Sequence, residues 1–119
     1  MTRRTVDSNS YVEPVRVELM KLIRAGEVTY YGELGRTIGK PARRTHWKKV
    51  LDEISYTKPD ISIIVLLADS GWPGQIDYSA TGGKPTPAQR QFAQNEIAKV
   101  FALHSPGKLV PQLPIKRPR

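Results

Sequence analysis

The feature that most constrains this chain is a break between two helical segments within residues 28–51, VTYYGELGRTIGKPARRTHWKKVL. A short helix is predicted over Gly32 to Ile38, a Gly-Lys-Pro sequence interrupts it, and another helix begins at about Ala42. Two helices joined by a turn of three or four residues are typical of a helix-turn-helix. The pattern therefore predicts a helix-turn-helix at the centre of the domain.

The second helix of this pair is basic, and the charge of the segment has one sign. No acidic residue lies between Glu33 and Asp52, whereas this interval holds six basic residues: Arg36, Lys40, Arg43, Arg44, Lys48 and Lys49. A solvated helix face usually mixes both signs, so a run of one sign favours a polyanionic partner. The leading hypothesis from the sequence is therefore binding to double-stranded DNA.

This basic helix also separates apolar from polar residues. Its apolar residues share one face at the spacing i, i+3, i+4 and i+7; they are Trp47, Val50, Leu51 and Ile54. At a rotation of about 100° per residue, the opposite face of the helix is formed by Thr45, Lys48, Lys49 and Asp52. A recognition helix needs this division, because the apolar face anchors it while the polar face enters the major groove.

The segments on either side of the pair complete an α+β domain. An amphipathic helix is predicted over about residues 11–25, where apolar residues recur at helical spacing and Gly26 ends the run. The β-branched run ISIIVLL at 61–67 predicts a strand that is covered on both faces. Turn residues at 69–74 then lead to a second short strand at 75–78, so the two strands predict a small β wing.

The C-terminal third predicts an amphipathic helix and then an unpacked tail. Thr86 and Gln89 fit a capping box, Pro87 suits the first helical position, and apolar residues then recur on one face. After Ser105 the chain has four prolines and four basic residues without an acidic one, which is typical of an extended, mobile segment. The predicted parts are a flexible N-terminus (1–10), a winged-helix-like domain (11–104) and a disordered, basic, Pro-rich tail (105–119).

Composition excludes several classes of function. A chain of 119 residues suffices for one domain, and the absence of cysteine excludes disulfides, thiolate zinc sites and thiol nucleophiles. The two histidines, His46 and His104, have no ligand-spaced partner, so we expect no metal, no cofactor and no catalytic residue. The first ten residues lack the apolar core of a signal peptide, and no run approaches 18 apolar residues. We therefore expect a cytoplasmic protein without a membrane partner or a small-molecule substrate.

The segment VTYYGELGRTIGKP resembles the opening of the C-terminal DNA-binding domain of O6-alkylguanine-DNA alkyltransferases and of alkyltransferase-like proteins. The stretch Tyr31 to Leu34 and the spacing of Ile38 and Gly39 carry this similarity, and the order of elements agrees over about residues 11–78. The resemblance implies a winged-helix fold with a DNA-binding recognition helix. It also implies a position near the DNA backbone for Tyr31.

The active-site chemistry of that family has no counterpart in this sequence. The family carries a Pro-Cys-His-Arg motif on the strand after its recognition helix, whereas the run at 61–67 holds no Cys, His or Arg. A chain without cysteine cannot accept an alkyl group on sulfur. The family's arginine that fills the vacated base stack falls near Thr45. The resemblance thus implies the DNA-binding scaffold rather than the reaction.

The predicted DNA contacts lie on the helix-turn-helix and on the loop after the apolar run. They are Tyr31, Lys40, Arg43, Arg44, Thr45, Lys48, Lys49 and Trp72. Two alternatives exist for Trp72: it packs beneath the wing, which we favour because large aromatic side chains are usually buried, or it stands exposed as a contact. Trp47, in contrast, is expected in the core.

Three hypotheses for function follow. The leading one is a non-catalytic double-stranded DNA-binding module, such as a regulator or a subunit of a larger bacterial, phage or plasmid system. The second is a protein-interaction module on the same scaffold, in which residues 87–104 form a docking helix for a partner protein or a homodimer. The third is alkyltransferase-like recognition of a DNA lesion, which predicts tighter binding to a duplex that contains O6-alkylguanine. The sequence does not separate DNA from RNA as the polyanion.

Overall fold

A computed structural model describes residues 9–39 and 44–117; for residues 9–11, 44–46 and 48 it describes the backbone alone. Within these ranges the chain forms four α-helices and a sheet of two short parallel strands. In chain order the elements are α1 (Asn9–Arg24), β1 (Thr29–Tyr30), α2 (Tyr31–Ile38), α3 (Arg44–Ile54), β2 (Val65–Leu66) and α4 (Pro87–His104). The predicted α+β class is confirmed, and the winged-helix assignment stays a prediction.

The core forms where α1, α3 and α4 pack around the segment that precedes β2. Each helix contributes one apolar stripe: Val15, Leu19 and Ile23 from α1, Trp47, Val50, Leu51 and Ile54 from α3, and Ile97, Val100 and Phe101 from α4. Complete burial of an aliphatic side chain contributes about 1.5–3 kcal/mol, so these stripes hold the three helices together. The apolar face predicted for α3 is confirmed.

Local signals at the helix ends agree with the sequence. Gly39 ends α2 with a φ of 68°, in the left-handed region that glycine adopts without strain. The capping box of α4 is also present: the Thr86 hydroxyl accepts a hydrogen bond from the Gln89 backbone N–H, and the Gln89 side chain accepts one from the Thr86 N–H. In the described part of the chain, no helix has both the length and the apolar character that crossing a membrane requires.

The apolar run at 61–67 is a strand only at its end, so the prediction of a strand over the whole run is wrong. The Asp60 carboxylate accepts hydrogen bonds from the Ser62 N–H (2.9 Å) and hydroxyl (2.6 Å), and these bonds begin a 3₁₀ turn over Ile61–Ile64. Burial raises the pKa of Asp60, and the two bonds from Ser62 oppose that shift. The expectation of burial on both faces is confirmed, because residues 61–66 are all buried.

The predicted second strand at 75–78 is also wrong. After β2 the chain turns within four residues, closed by hydrogen bonds from the Gly71 N–H to the Leu67 carbonyl (2.8 Å) and from the Leu67 N–H to the Trp72 carbonyl (2.9 Å). The chain returns at Pro73, which forms a single antiparallel bridge with Leu66. The Gly74 N–H donates to the Val65 carbonyl (3.1 Å) on the far side of this bridge, and residues 75–78 form no strand.

The sheet itself joins distant parts of the chain. Thr29 of β1 lies opposite Val65 of β2, and Tyr30 lies opposite Leu66, in parallel register. This pairing fixes the start of α2, because Tyr31 follows β1 directly. The sheet therefore fixes where α2 begins, and its two strands are parallel, whereas the sequence predicted an antiparallel wing.

The tail after α4 is packed against the domain, contrary to the prediction of a disordered tail. The Ser105 hydroxyl donates to the carbonyl of Ile23 at the end of α1. Further along, the Gln94 side chain donates to the Pro111 carbonyl (3.0 Å) and accepts from the Leu113 N–H (2.9 Å). We call residues 111–117 the strap, because they lie across the domain and bond to several of its elements.

The end of the strap satisfies the backbone groups of the turn after β2. The Ile115 N–H donates to the Gly71 carbonyl (3.0 Å), and the Arg117 N–H donates to the Ala68 carbonyl (3.1 Å). The proline-rich composition of this segment predicted an extended, mobile backbone rather than a packed one. It gave no indication of these partners, which lie more than forty residues earlier in the chain.

We expect Gly71→Ala to lower the free energy of unfolding more than Gly82→Ala. Both glycines have positive φ (79° and 66°), so alanine is strained by roughly 1–2 kcal/mol at either position. A Cβ at Gly71 would also lie 2.6 Å from the backbone of Ile115, whereas nothing lies within 4 Å of one at Gly82. Urea denaturation measures both losses, and equal losses would contradict the close packing of the strap on the turn.

Candidate functional site

The helices of the predicted helix-turn-helix are α2, which begins at the β1–α2 junction and ends at Gly39, and α3. Tyr30 precedes α2 in an extended conformation, and the Gly39 N–H caps the other end by donating to the Arg36 carbonyl. The next described helix, α3, begins at Arg44. Two helices therefore follow each other across a short connection, as the sequence predicted. Lys40 and Arg43, two of the predicted DNA contacts, lie outside the described residues.

The face of α3 opposite the core is polar. Lys49 is exposed on it, and Trp47, which is 2% exposed, anchors the same helix in the core. Asp52 and Glu53 are also exposed, and the Asp52 carboxylate accepts a hydrogen bond from the Gln75 side chain (3.1 Å). The acidic residues of α3 lie in its C-terminal half, and the basic residues of this helix lie in its N-terminal half.

Three other predicted contacts lie on that N-terminal half. Arg44, Thr45 and Lys48 belong to the first two turns of α3, and their side chains lie outside the described residues. Tyr31 begins α2 on the far side of the break, where its half-buried ring packs so closely on Gly74 that a side chain at position 74 would meet it. Gly74 thus has a packing role that the sequence did not reveal.

Trp72 is packed rather than displayed. Its side chain is 9% exposed and forms a second apolar cluster with Tyr78 and Ala93. The Tyr78 hydroxyl donates to the Pro73 carbonyl (2.7 Å), and burial raises the pKa of Tyr78 to about 12. The packing alternative for Trp72 is confirmed, and a DNA contact by Trp72 stays a prediction.

A pocket of about 350 Å³, which we call the aromatic pocket, opens beside the helix-turn-helix. Its wall comes from the β1–α2 junction, from α3, from the start of the turn after β2 and from the strap. The apolar part of the wall is formed by Tyr30, Tyr31, Trp47, Leu67 and Ala68, and the charged part by Glu33, Arg36 and Arg117. No motif in the sequence predicts this pocket, although Tyr31 and Trp47 each stand out in the sequence for a separate reason.

An ion pair closes one side of the aromatic pocket. The Arg117 guanidinium lies 3.0 Å from the Glu33 carboxylate, and both side chains are partly exposed. An ion pair in this setting contributes little to stability, about 0–1 kcal/mol, so its main effect is to hold two side chains in place. The residues are 84 positions apart, and no local pattern in the sequence could have joined them.

The Tyr30 hydroxyl fastens the strap beside this ion pair by donating to the Ile115 carbonyl (2.8 Å). Burial raises the pKa of Tyr30, the Glu33 carboxylate raises it further, and Arg117 lowers it. The hydroxyl therefore remains a proton donor at neutral pH. Elsewhere in the described ranges, no three His, Asp or Glu side chains gather in a way that could hold a metal ion.

Comparison with known proteins gives no match: no family model, no curated protein and no solved structure is significantly similar to the chain.

Removal of the Tyr30 hydroxyl should loosen the strap. Tyr30→Phe leaves the Ile115 carbonyl without this donor, so we expect a loss of about 1 kcal/mol in the free energy of unfolding. Tyr56→Phe is the matched control, because Tyr56 is 78% exposed and its loss should be close to zero. Urea denaturation compares the two, and a Tyr30 variant as stable as the native chain would argue against the bond.

Proposed function

We propose that this protein is a non-catalytic module that binds double-stranded DNA, with the N-terminal half of α3 in the major groove. One observation carries the proposal: α3 follows α2 across a short break and buries its apolar face, so its opposite face is available to a ligand. Recognition helices contact base edges mainly through their N-terminal residues. In this chain the N-terminal half of α3 holds the basic residues Arg44, Lys48 and Lys49.

Charge supports the same surface. The net charge of the chain is +8, and the interval between Glu33 and Asp52 contains basic residues without an acidic one. Lys49 is exposed on α3, as a phosphate contact requires. Arg44, Thr45 and Lys48 would join it in facing bases and phosphates, and Lys40 and Arg43 would contact the flanking backbone. A partner with regularly spaced phosphates matches this distribution.

The non-catalytic part of the proposal rests on the residues that replace the active-site strand of the resembled family. In this protein that region is the 3₁₀ turn and β2, whose Ile and Val side chains are buried in the core. The sequence contains no cysteine to act as the alkyl acceptor. Recognition of a lesion without repair remains the third hypothesis, and it is tested by comparing damaged with undamaged DNA.

The protein-interaction hypothesis has one observation in its favour. The buried residues of α4 are Ala93, Ile97, Val100 and Phe101, whereas Phe92 and Leu103 are 53% and 58% exposed. They are three helical turns apart and therefore lie on the same side of α4. This surface would serve a protein partner without involving α3, so charge reversal on α3 distinguishes the two hypotheses.

We expect the native chain to bind a random DNA duplex in a salt-dependent manner. Four phosphate contacts correspond to a slope of about −3.6 for log K against log salt, or a loss of about 150-fold between about 50 and 200 mM salt. The affinity of a single helix-turn-helix is expected to be on the order of micromolar to 100 micromolar at physiological salt. Fluorescence anisotropy with a labelled duplex measures both quantities.

Charge reversal on α3 is the decisive change in that measurement. Lys48→Glu combined with Lys49→Glu should weaken binding at least about tenfold, because two phosphate contacts become repulsive. Lys21→Glu combined with Arg24→Glu is the matched control: it changes the net charge equally at exposed positions in the last turn of α1. Equal losses from both pairs would show that the attraction is general rather than located on α3.

Two further comparisons complete the experiment. Lys116→Glu tests the tail by substitution, because truncation after Ser105 would remove the strap and its contacts with the domain. A duplex with one O6-methylguanine tests lesion recognition, and equal affinity for damaged and undamaged duplex would exclude it. Absence of duplex binding by the native chain would overturn the proposal and favour the protein-interaction hypothesis.

A further inference from the structure

We infer that the aromatic pocket binds a small, planar aromatic molecule that carries a carboxylate. The pocket measures about 350 Å³, within the range of small-molecule sites, and its wall is mainly apolar with a few charged groups at the edge. The DNA-binding proposal uses the outward face of α3, whereas this pocket uses Trp47 on the inward face. The inference therefore does not depend on DNA binding.

The wall of the pocket favours a flat ring. Tyr30, Tyr31 and Trp47 come from β1, α2 and α3, and they meet at one cavity beside Leu67 and Ala68. Aromatic side chains contact a planar ring through stacked or edge-to-face arrangements, which add attraction beyond simple area burial. Ala68 contributes only a methyl group to the wall, which leaves room for a ring beside it.

The charges at the edge favour an anion. Of the three charged residues that line the pocket, Glu33 and Arg117 form an ion pair with each other. The remaining one, Arg36, is exposed on α2, and no ion pair of its side chain occurs among the described residues. Since Arg117 neutralises Glu33, the edge carries a net positive charge from Arg36. Guanidinium groups bind carboxylates through paired hydrogen bonds, so Arg36 suits this role.

The strap makes the pocket a preformed site. Its Arg117 forms part of the wall and is held by the Glu33 carboxylate (3.0 Å) and by the Ala68 carbonyl (3.1 Å). Tyr30, another wall residue, is held by its hydrogen bond to the Ile115 carbonyl. Wall residues that are fixed before a ligand arrives lose little freedom on binding, which favours affinity.

The test uses the full native chain, labelled with ¹⁵N, and two probes of the same shape. 1-Naphthoate carries the carboxylate, and 1-naphthylmethylammonium carries a positive charge on the same ring system. The chain has two tryptophans, so its two indole N–H signals report separately on the pocket (Trp47) and on the second apolar cluster (Trp72), which does not line the pocket. We expect naphthoate to shift the Trp47 indole signal and the amide signals of Gly32 and Gly35, which also line the pocket.

Affinity should be modest and should depend on charge. A ligand of this size binds with a Kd on the order of 1 mM or below, and naphthoate should bind about tenfold more tightly than the ammonium probe. Arg36→Gln should remove that preference by weakening naphthoate about tenfold. Arg24→Gln is the control, because Arg24 is exposed in α1 and does not line the pocket. Ala68→Leu should weaken both probes by filling the cavity.

Three results would overturn the inference. Naphthoate could leave the Trp47 indole and the two glycine amides unshifted, or both probes could bind with equal affinity. Binding of naphthoate that is unchanged by Arg36→Gln would likewise exclude this recognition. An unshifted Trp72 signal in each variant shows that the fold is intact, so a loss of binding is then attributable to the substituted side chain.

Discussion

Burial of residues 61–66 is the constraint on which the other elements depend. The six residues are at most 2% exposed, and α1, α3 and α4 all contact the 3₁₀ turn that begins the segment. A backbone buried on all sides must satisfy its polar groups internally, which Asp60 and the pairing with β1 achieve. Because α3 packs its apolar face onto this segment, the segment also determines which face of α3 meets solvent.

Signals of short range could be interpreted correctly from the sequence. The end of α2 at Gly39, the capping box of α4 and the buried face of α3 each depend on residues within about two helical turns of one another. The run at 61–67 does not by itself distinguish a strand from a 3₁₀ turn, because both are continuously apolar when they are buried. What separates them is the Asp60 side chain, which binds the backbone two residues later.

The candidate site was accessible to sequence reasoning only in part. Periodicity and charge indicate the two faces of α3. The family resemblance points to Tyr31 as a DNA contact, and Tyr31 also lines the aromatic pocket. The aromatic pocket could not be found, because its wall combines β1, α2, α3 and the strap in three dimensions. Proline and basic residues in the strap are equally compatible with a mobile tail, so the bond between Tyr30 and Ile115 has no counterpart in local composition.

The strap has a consequence for the order in which the molecule gains and loses structure. Its bond to Tyr30 spans 85 residues, and that of Ser105 to Ile23 spans 82, so both close very long loops. Contacts at such separation form after the local helices, at a cost in chain entropy, and marginal peripheral segments are the first to open. We therefore expect amide hydrogens of the strap to exchange faster than those of α1, through rare local openings in a domain whose helices stay folded.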